Sequence, residues 1–290
     1  MRIVFEEKEQ KWRELEDDEK VEGEMYIDGL LADRLDYIQR KLLKHNWDVV
    51  ILVDGIEGSG KSTLAIQVAW FLSNAKLRMD HLILGLEDAP DKLEKAQHGD
   101  VFLMDEGSLS FSSRETMKRE QVELVKIFNV IRQKNLALIV VAPSFFDLNK
   151  YIAVQRSRCL IHVYTEKDLT RGRYAFFTQK RKNILFTEGK KNYNTYAKPE
   201  ANFYGRFTDS NPLGEPYIKA KELSLFEAFQ SRKKKIPTEK DIKIKLIKEF
   251  KEKNPEIMNK TLAQGFGISK DTITKYLKSE DIPTKLTPKS

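Results

Sequence analysis

The sequence predicts an α/β fold with a mostly parallel sheet, joined to a small all-helical domain at its C-terminal end. Short apolar runs alternate with segments of helical periodicity, a glycine-rich loop joins one such run to a helix, and the last sixty residues are rich in lysine. Alternating strand and helix signals are typical of parallel sheets. We expect four regions in order: an N-terminal helical extension (1–47), the α/β domain (48–230), a basic linker (231–237) and the helical domain (238–290).

The first regular pattern along the chain is an amphipathic helix over residues 28–45. Its apolar residues recur at helical spacing: Leu30, Leu31, Leu35, Ile38, Leu42 and Leu43. The run that follows, residues 49–53, is apolar and β-branched, as expected of a buried parallel strand. We expect the helix to pack on the α/β core or on a neighbouring subunit.

A glycine-rich loop follows this strand and opens a helix over residues 61–74. Residues 55–62 match the pattern G-x-x-x-x-G-K-[ST] without a mismatch. The backbone N–H groups of such a loop turn inward around phosphate oxygens, and Lys61 would reach the β- and γ-phosphates. A purely structural glycine turn is the alternative, but the strand–loop–helix context favours a nucleoside-triphosphate site. We expect the nucleotide to be contacted by Gly55, Gly58, Ser59, Gly60, Lys61, Ser62 and Thr63.

An acidic pair closes a second apolar strand about fifty residues later. Residues 101–104 are continuously apolar, and Asp105 and Glu106 follow directly. Parallel strands deliver such side chains to the carboxyl edge of the sheet, where ligands bind. We expect Asp105 to hold Mg²⁺ together with Ser62, and Glu106 to act as the general base on the attacking water.

The other expected elements continue the alternation of strand and helix. The strands are residues 81–86, 136–141, 159–164, 174–178 and 183–186. The helices are residues 87–98, 115–133 and 145–154. We expect residues 188–222, which are rich in Gly, Asn, Tyr and Pro, to form extended peripheral loops.

Two kinds of side chain near this site are candidates for sensing or stabilising the γ-phosphate. Ser144 follows the strand 136–141 and would be a polar sensor, although a Pro-Ser turn explains it equally well. Arg156 and Arg158 are candidate arginine fingers that act across a subunit interface, whereas surface salt bridges are the commoner fate of arginine. Arg171 and Arg173 are weaker candidates for the same role.

The C-terminal domain has the pattern of a helix-turn-helix. Helices are expected over residues 238–253, 257–264 and 270–278, with a glycine-containing turn at 265–269 and Ser269 as the N-cap of the third helix. A third helix in this arrangement enters the major groove of DNA. A small helical bundle without a DNA role is the alternative. The expected DNA contacts are Ser269, Lys270, Thr272, Thr274, Lys275 and Lys278.

The positive charge of the chain is concentrated in this C-terminal part. Residues 231–290 hold 16 Lys and Arg against 8 Asp and Glu, whereas residues 1–230 hold 35 against 36. Such asymmetry favours a tail that binds double-stranded DNA, with a solvated lysine-rich surface as the alternative. The single cysteine, Cys159, excludes an internal disulfide, and no apolar run approaches the roughly 20 residues of a membrane span. We expect a cytoplasmic protein without a membrane segment of its own.

Between residues 49 and 163 the order of motifs resembles the P-loop ATPases of the additional-strand, catalytic-glutamate class. Within that class the chain is most similar to the zonula occludens toxin family and to FtsK/HerA-type DNA translocases. The residues that carry the resemblance are GIEGSGKST (55–63), FLMDE (102–106) with a polar loop ending at Arg114, IRQKN (131–135) and LALIVVAPSFFDLNKYI (136–152). The resemblance implies a RecA-like core and a homo-oligomeric ring, a hexamer, that hydrolyses ATP with Mg²⁺ at subunit interfaces and moves DNA.

These expectations combine into an ATP-hydrolysing, DNA-associated motor that packages or translocates viral or plasmid DNA. The alternative is a nucleotide-switched DNA-binding regulator or replication initiator, in which ATP sets the assembly state. In a third reading, the C-terminal domain binds protein and the chain is a scaffold ATPase.

Overall fold

A computed structural model of the chain describes residues 3–6, 11–14, 25–105, 114–233 and 239–278. The chain divides into two compact units, Met1–Phe226 and Glu227–Ser290. The first unit therefore includes both the predicted N-terminal extension and most of the predicted α/β domain. The second includes the predicted helical domain.

Three short strands form an antiparallel sheet near the start of the chain. The aromatic ring of Phe5 packs edge-on against Trp12 at 5.2 Å between ring centroids, and against Trp70 at 5.7 Å. This sheet was not predicted, because its strands are short and lie among charged residues. They are β1 (Ile3–Glu6), β2 (Lys11–Glu14) and β3 (Tyr26–Ile27), in the order β2-β1-β3.

The helix predicted over residues 28–45 is confirmed. It begins as α1 (Gly29–Tyr37), capped by Asp28, whose side chain accepts a hydrogen bond from the backbone N–H of Leu30 at 3.1 Å. It continues as one π-helical turn (Ile38–Leu42) and a 3-10 turn (Leu43–His45). Its apolar face is buried in the same cluster as the central sheet.

A seven-stranded sheet forms the centre of the first unit. Its strands are β4 (Val49–Gly55), β5 (Leu82–Ile83), β6 (Val101–Met104), β7 (Ala137–Val141), β8 (Cys159–Tyr164), β9 (Arg173–Thr178) and β10 (Phe203–Arg206). Their order is β10-β9-β8-β4-β7-β6-β5, and the five strands from β8 to β5 are parallel. β9 and β10 are added antiparallel at one edge. Strands β4, β6 and β7 are entirely buried, which explains the apolar runs 49–53, 101–104 and 137–141.

Helices cover both faces of this sheet. They are α2 (Lys61–Leu72), α3 (Ala89–Glu94), α4 (Arg114–Gln133), α5 (Gln179–Lys191) and α6 (Gly214–Lys233). Apolar residues of α1 and α2 pack in one buried cluster with one face of β4, and those of α3, α4 and α5 pack in a second cluster with its other face. This confirms the predicted α/β fold with a RecA-like P-loop core and a mostly parallel sheet.

Two predictions for the part of the chain after β9 are wrong. Residues 183–186 were expected to be a strand, but they lie inside α5, where Lys182, Leu185 and Gly189 are buried at helical spacing. Residues 188–222 were expected to be loops, but they contain the end of α5, β10 and the start of α6. The polar and glycine-rich composition of this region hid a short edge strand and a helix that packing stabilises.

Smaller differences concern the ends of other elements. The strand expected at 81–86 shortens to β5, and the helix expected at 87–98 is reduced to a 3-10 turn and α3. The helix expected at 145–154 divides into a 3-10 turn (Phe145–Asp147) and a π-helical turn (Tyr151–Arg156).

The second unit contains three helices over the residues described in it after the end of α6. They are α7 (Glu239–Lys253), α8 (Asn259–Gly265) and α9 (Lys270–Lys278), close to the predicted bounds. Their core is small: Ile247, Leu262, Ala263 and Ile273. In neither unit is any helix of the described residues long and apolar enough to cross a membrane.

Candidate nucleotide site

The loop between β4 and α2 has a backbone conformation that requires glycine at two positions. Gly55 has φ +145°, and a Cβ atom there would lie 2.0 Å from the carbonyl oxygen of Val163. Gly60 has φ +96°, and its Cβ would meet the ring of Phe207 at 3.0 Å. The loop therefore lies so close to β8 and to the residue that follows β10 that any side chain at these two positions would clash.

Lys61 and Ser59 both turn back onto this loop. The Nζ atom of Lys61 donates a hydrogen bond to the carbonyl oxygen of Gly55 at 2.8 Å, and the side chain is buried. The Oγ atom of Ser59 donates to the carbonyl oxygen of Ile56, also at 2.8 Å. The lysine that the motif assigns to the phosphates thus already lies against the loop that would hold them.

The structure brings together the two residues predicted to hold Mg²⁺. Ser62 is in the first turn of α2, and its Oγ atom donates a hydrogen bond to Oδ1 of Asp105 at 2.8 Å. Asp105 directly follows β6, is 1% exposed, and donates its backbone N–H to the carbonyl oxygen of Ile83. A hydroxyl and a carboxylate are the oxygen ligands that Mg²⁺ takes from protein in phosphate-transfer sites.

Two residues of α6 complete this pair, and sequence analysis missed both. The Nζ atom of Lys221 lies 2.7 Å from Oδ2 of Asp105 and donates to the Oγ atom of Ser62 at 2.9 Å. The hydroxyl of Tyr217 donates to Oδ2 of Asp105 at 2.8 Å. The two residues are four apart, so both face the site from one side of the helix. Their helical spacing was the available signal, and it was lost once residues 188–222 were interpreted as loops.

Asp105 is a charged group in a buried place. Burial by itself raises the pKa of its carboxyl, but the positive charge of Lys221 and hydrogen bonds from Lys221, Tyr217 and Ser62 lower that pKa below its ordinary value. Burial and the neighbouring Asp105 charge raise the pKa of Tyr217, which keeps its hydroxyl protonated as a donor. The Asp105 carboxylate and the Ser62 hydroxyl therefore fit a cation, since both already bind the ammonium of Lys221.

Of the predicted sensor Ser144 and the predicted general base Glu106, the structure describes only Ser144. Glu106 lies outside the described residues, so its role as general base stays a prediction. Ser144 directly follows Pro143 after β7, and its Oγ atom accepts a hydrogen bond from the backbone N–H of Phe146 at 3.2 Å. Ser144 thus caps the short 3-10 turn, and its role as a sensor also stays a prediction.

A buried aspartate, Asp54, ties together the strand ends behind the glycine-rich loop. It accepts a hydrogen bond from the backbone N–H of Phe145 at 2.8 Å and one from the hydroxyl of Tyr196. Nδ1 of His162 lies 3.0 Å from Oδ1 of Asp54, and the His162 ring stacks on Tyr196 with 3.5 Å between centroids. These contacts fix the ends of β4, β7 and β8 relative to one another.

The two leading arginine-finger candidates lie beside residues that precede β4. Arg156 pairs with Asp48 at 2.6 Å and donates to the carbonyl oxygen of Phe128 at 3.1 Å. The guanidinium of Arg158 lies over the ring of Trp47, 4.9 Å from its centre. Since the glycine-rich loop follows the other end of β4, both lie away from the nucleotide site of their own chain. A role across a subunit interface stays a prediction for each.

A third arginine, Arg171, lies beside the nucleotide loop. One guanidinium nitrogen of this exposed residue lies 3.9 Å from the position that a Cβ atom on Gly58 would take. The adjacent Gly172 accepts a hydrogen bond from the backbone N–H of Phe207 at 3.0 Å, and the Phe207 ring contacts Gly60. The turn between β8 and β9 is thereby anchored with a cation next to the loop.

The residues predicted to contact DNA lie at and within α9. Ser269 caps this helix as predicted, because its Oγ atom accepts a hydrogen bond from the backbone N–H of Thr272 at 3.2 Å. Lys270 and Lys275 are exposed, and the hydroxyl of Thr274 donates to the carbonyl oxygen of Lys270. The side chain of Lys278 lies outside the described part of the chain. DNA contact by this helix stays a prediction.

Comparison with known proteins finds similarity in structure alone. No protein-family model and no curated protein sequence matches the chain. It is similar to the N-terminal domain of zonular occludens toxin from Neisseria meningitidis, with 14% identity, 45% of this chain and 84% of that chain covered, and a TM-score of 0.30. It is also similar to AMPPCP-bound DnaA from Aquifex aeolicus (17% identity, 87% and 85% covered, TM-score 0.32).

A third similar structure is the genome packaging NTPase B204 from Sulfolobus turreted icosahedral virus 2 in complex with AMP. The identity is 16%, 47% of this chain and 94% of that chain are covered, and the TM-score is 0.28. Likenesses of this size do not transfer an activity or a ligand to this chain.

Proposed function

We propose that this chain is a Mg²⁺-dependent ATPase that acts on DNA. The observation that carries the proposal is the hydrogen bond between Ser62 and Asp105, which lies directly beside a glycine-rich loop of the required conformation. A phosphate-binding loop, a lysine on it and a paired hydroxyl and carboxylate are the parts that nucleotide hydrolysis needs in this fold.

The residues of the site would divide the work as follows. The backbone N–H groups of residues 56–60 and the N-terminus of α2 bind the phosphates, and Lys61 turns from Gly55 toward the β- and γ-phosphates. Ser62 and Asp105 would hold Mg²⁺, which neutralises charge on the phosphate oxygens when bound. Glu106, the next residue after Asp105, would take a proton from the attacking water.

The second unit would supply the contact with DNA. Its three helices pack around a small apolar core, and α9 is capped by Ser269 and exposes Lys270 and Lys275. A short, basic, exposed helix held by two others is the element that enters the major groove in helix-turn-helix proteins. The excess of basic residues in this part of the chain favours a polyanion such as DNA over a basic or neutral partner.

The finer proposal is a motor that packages or translocates DNA as a homo-oligomeric ring, a hexamer. A glutamate base dedicated to water supports repeated hydrolysis, and a motor requires repeated cycles. In a ring, Arg156 or Arg158 of one subunit would reach the nucleotide of the next and stabilise transition-state charge.

The test is the rate of ATP hydrolysis by the full chain with and without duplex DNA. We expect duplex DNA to raise the rate of ATP hydrolysis. The variant Glu106→Gln should bind ATP but not hydrolyse it. An unchanged rate in DNA together with no measurable DNA affinity would refute the DNA part. A Glu106→Gln variant that hydrolyses ATP normally would refute the catalytic assignment.

A further inference from the structure

The side chain of Lys221 occupies the cation position of the nucleotide site. Its ammonium contacts both oxygens assigned to Mg²⁺, at 2.7 Å from Asp105 and 2.9 Å from Ser62. An ammonium and a metal ion cannot share two oxygens at these distances. A Mg²⁺ ion that arrives with the triphosphate must therefore displace the Lys221 ammonium before it can bind Ser62 and Asp105.

Contacts of α6 on either side of Lys221 hold its ammonium at this position. The hydroxyl of Tyr217, one turn earlier, holds Oδ2 of Asp105, and the Tyr217 side chain is buried. Ser224, about one turn later, donates a hydrogen bond to the carbonyl oxygen of Leu84 at 3.0 Å. Contacts on both sides of Lys221 thus seat α6 on the first unit.

One of the three ammonium protons is weakly used. Two of them make the short contacts with Asp105 and Ser62, whereas the Tyr217 hydroxyl lies 3.4 Å from the Lys221 nitrogen. A phosphate oxygen is a stronger acceptor than a phenol and carries charge, so it would replace this long contact. The Lys221 side chain is 31% exposed, which allows it to move aside without opening the core.

We propose that Lys221 substitutes for Mg²⁺ in the nucleotide site: its ammonium binds the phosphates of metal-free nucleotide and competes with Mg²⁺ for Ser62 and Asp105. The inference rests on the proposed function, because it concerns the same triphosphate. Its consequence is a pair of opposite effects of one side chain. Lys221 strengthens the binding of nucleotide without metal, and it weakens the apparent affinity for Mg²⁺.

The test is to replace Lys221 with methionine, which keeps the length of the stem but removes the charge. The matched control is Lys219→Met, because Lys219 is exposed on the same helix. The probe is a fluorescent, non-hydrolysable ATP analogue, titrated into the full chain first in EDTA and then with increasing Mg²⁺. Lys221→Arg is a second variant that keeps the positive charge.

The expected result is opposite in the two conditions. In EDTA, Lys221→Met should bind the analogue on the order of 10-fold more weakly than wild type, the size of one charge-assisted hydrogen bond. The Mg²⁺ concentration that gives half of the full binding should fall several-fold. Lys219→Met should match wild type, and Lys221→Arg should keep most of the binding in EDTA.

Two outcomes separate this inference from the proposed function. Wild-type and Lys221→Met chains that bind the analogue equally in EDTA and need the same Mg²⁺ would overturn the inference and leave the nucleotide site standing. A wild-type chain that binds no analogue in either condition would overturn both. If Lys221→Met fails to fold, weak EDTA binding by a folded Lys221→Arg would overturn the inference, because the charge remains.

Discussion

Ser62 and Asp105 are joined by a hydrogen bond of 2.8 Å, although 43 residues separate them in the sequence. Ser62 belongs to the first turn of α2, and Asp105 follows β6, which lies two strands from β4 in the sheet. The helix packs across β7 and β6, and this crossing carries the hydroxyl from the end of β4 to the carboxylate. The pair is thus a product of topology, and it carries the first prediction.

Ser62→Ala should weaken the apparent affinity for Mg²⁺ by at least about 10–100-fold, since the loss of residues that only support metal ligands already costs that much. Ser73→Ala is the matched control, because Ser73 follows the other end of α2, where its hydroxyl donates to the carbonyl oxygen of Trp70 at 3.0 Å. The measurement is the Mg²⁺ dependence of ATP turnover. Equal Mg²⁺ dependence in Ser62→Ala and wild type would contradict the assignment.

This half of the site could be predicted from the sequence because its residues are adjacent to strong local signals. The glycine pattern specifies Lys61 and Ser62, and the apolar strand β6 points to Asp105. The α6 half could not be predicted in the same way. Tyr217 and Lys221 reach the site through the packing of a helix that follows a glycine- and proline-containing stretch, so its position depends on tertiary contacts that no local pattern contains.

Lys61→Ala should reduce ATP turnover by about 10²–10³-fold, because one preorganised donor to transition-state charge is lost. In the structure Lys61 donates a hydrogen bond to the carbonyl oxygen of Gly55, and the variant would remove this hydrogen bond as well. Nucleotide binding measured with the fluorescent analogue should weaken at the same time. Turnover that stays within a factor of two of wild type would refute the role of Lys61.

Arg171→Ala should weaken binding of the ATP analogue by several-fold, because its guanidinium lies beside Gly58 on the phosphate loop. The control is Arg34→Ala, which removes an exposed arginine on α1. The effect should be larger for a triphosphate than for adenosine, since the contact is with phosphate. Equal losses for the two ligands would mean that Arg171 supports the fold of the turn and not the nucleotide.

Lys275→Ala in α9 should weaken DNA binding at all sequences and reduce the dependence of affinity on salt by about one unit of slope. Lys219→Ala, in the first unit, is the charge-matched control and should leave the slope unchanged. The measurement is fluorescence anisotropy of a labelled duplex at several salt concentrations. Unchanged affinity in Lys275→Ala and Lys270→Ala would indicate that α9 does not contact DNA.

The same titration separates a motor from a nucleotide-switched regulator. A motor binds duplexes mainly through phosphate contacts, so affinity should vary little with sequence and strongly with salt. A regulator or initiator should prefer its target by a factor of about 10³ or more over other duplexes.

The bounds of α7, α8 and α9 were predicted nearly correctly from apolar spacing, but the contact residues were not settled, because exposed lysines are not fixed by packing.

The last prediction concerns Lys182, which is fully buried in α5. Burial lowers its pKa from the ordinary value of 10.5 to about 8, and the neighbouring Cys159 acts in the other direction. Its Nζ atom donates to the carbonyl oxygens of Ala153 at 2.6 Å and Val154 at 3.0 Å. In the unfolded chain the same amine would return to its ordinary pKa, so the unfolded state binds more protons between the two pKa values.

Stability of the first unit should therefore rise with pH through this window. Between about pH 7.5 and pH 10 the Lys182 contribution to the free energy of unfolding should increase by about 2 kcal/mol, at roughly 1.4 kcal/mol per pKa unit. Lys182→Met should lose this increase, whereas Lys180→Met, an exposed lysine of the same helix, should keep it. All three tryptophans (Trp12, Trp47 and Trp70) lie in the first unit, so urea unfolding followed by their fluorescence reports on it. The same pH slope in Lys182→Met and wild type would show that the buried amine does not titrate in this range.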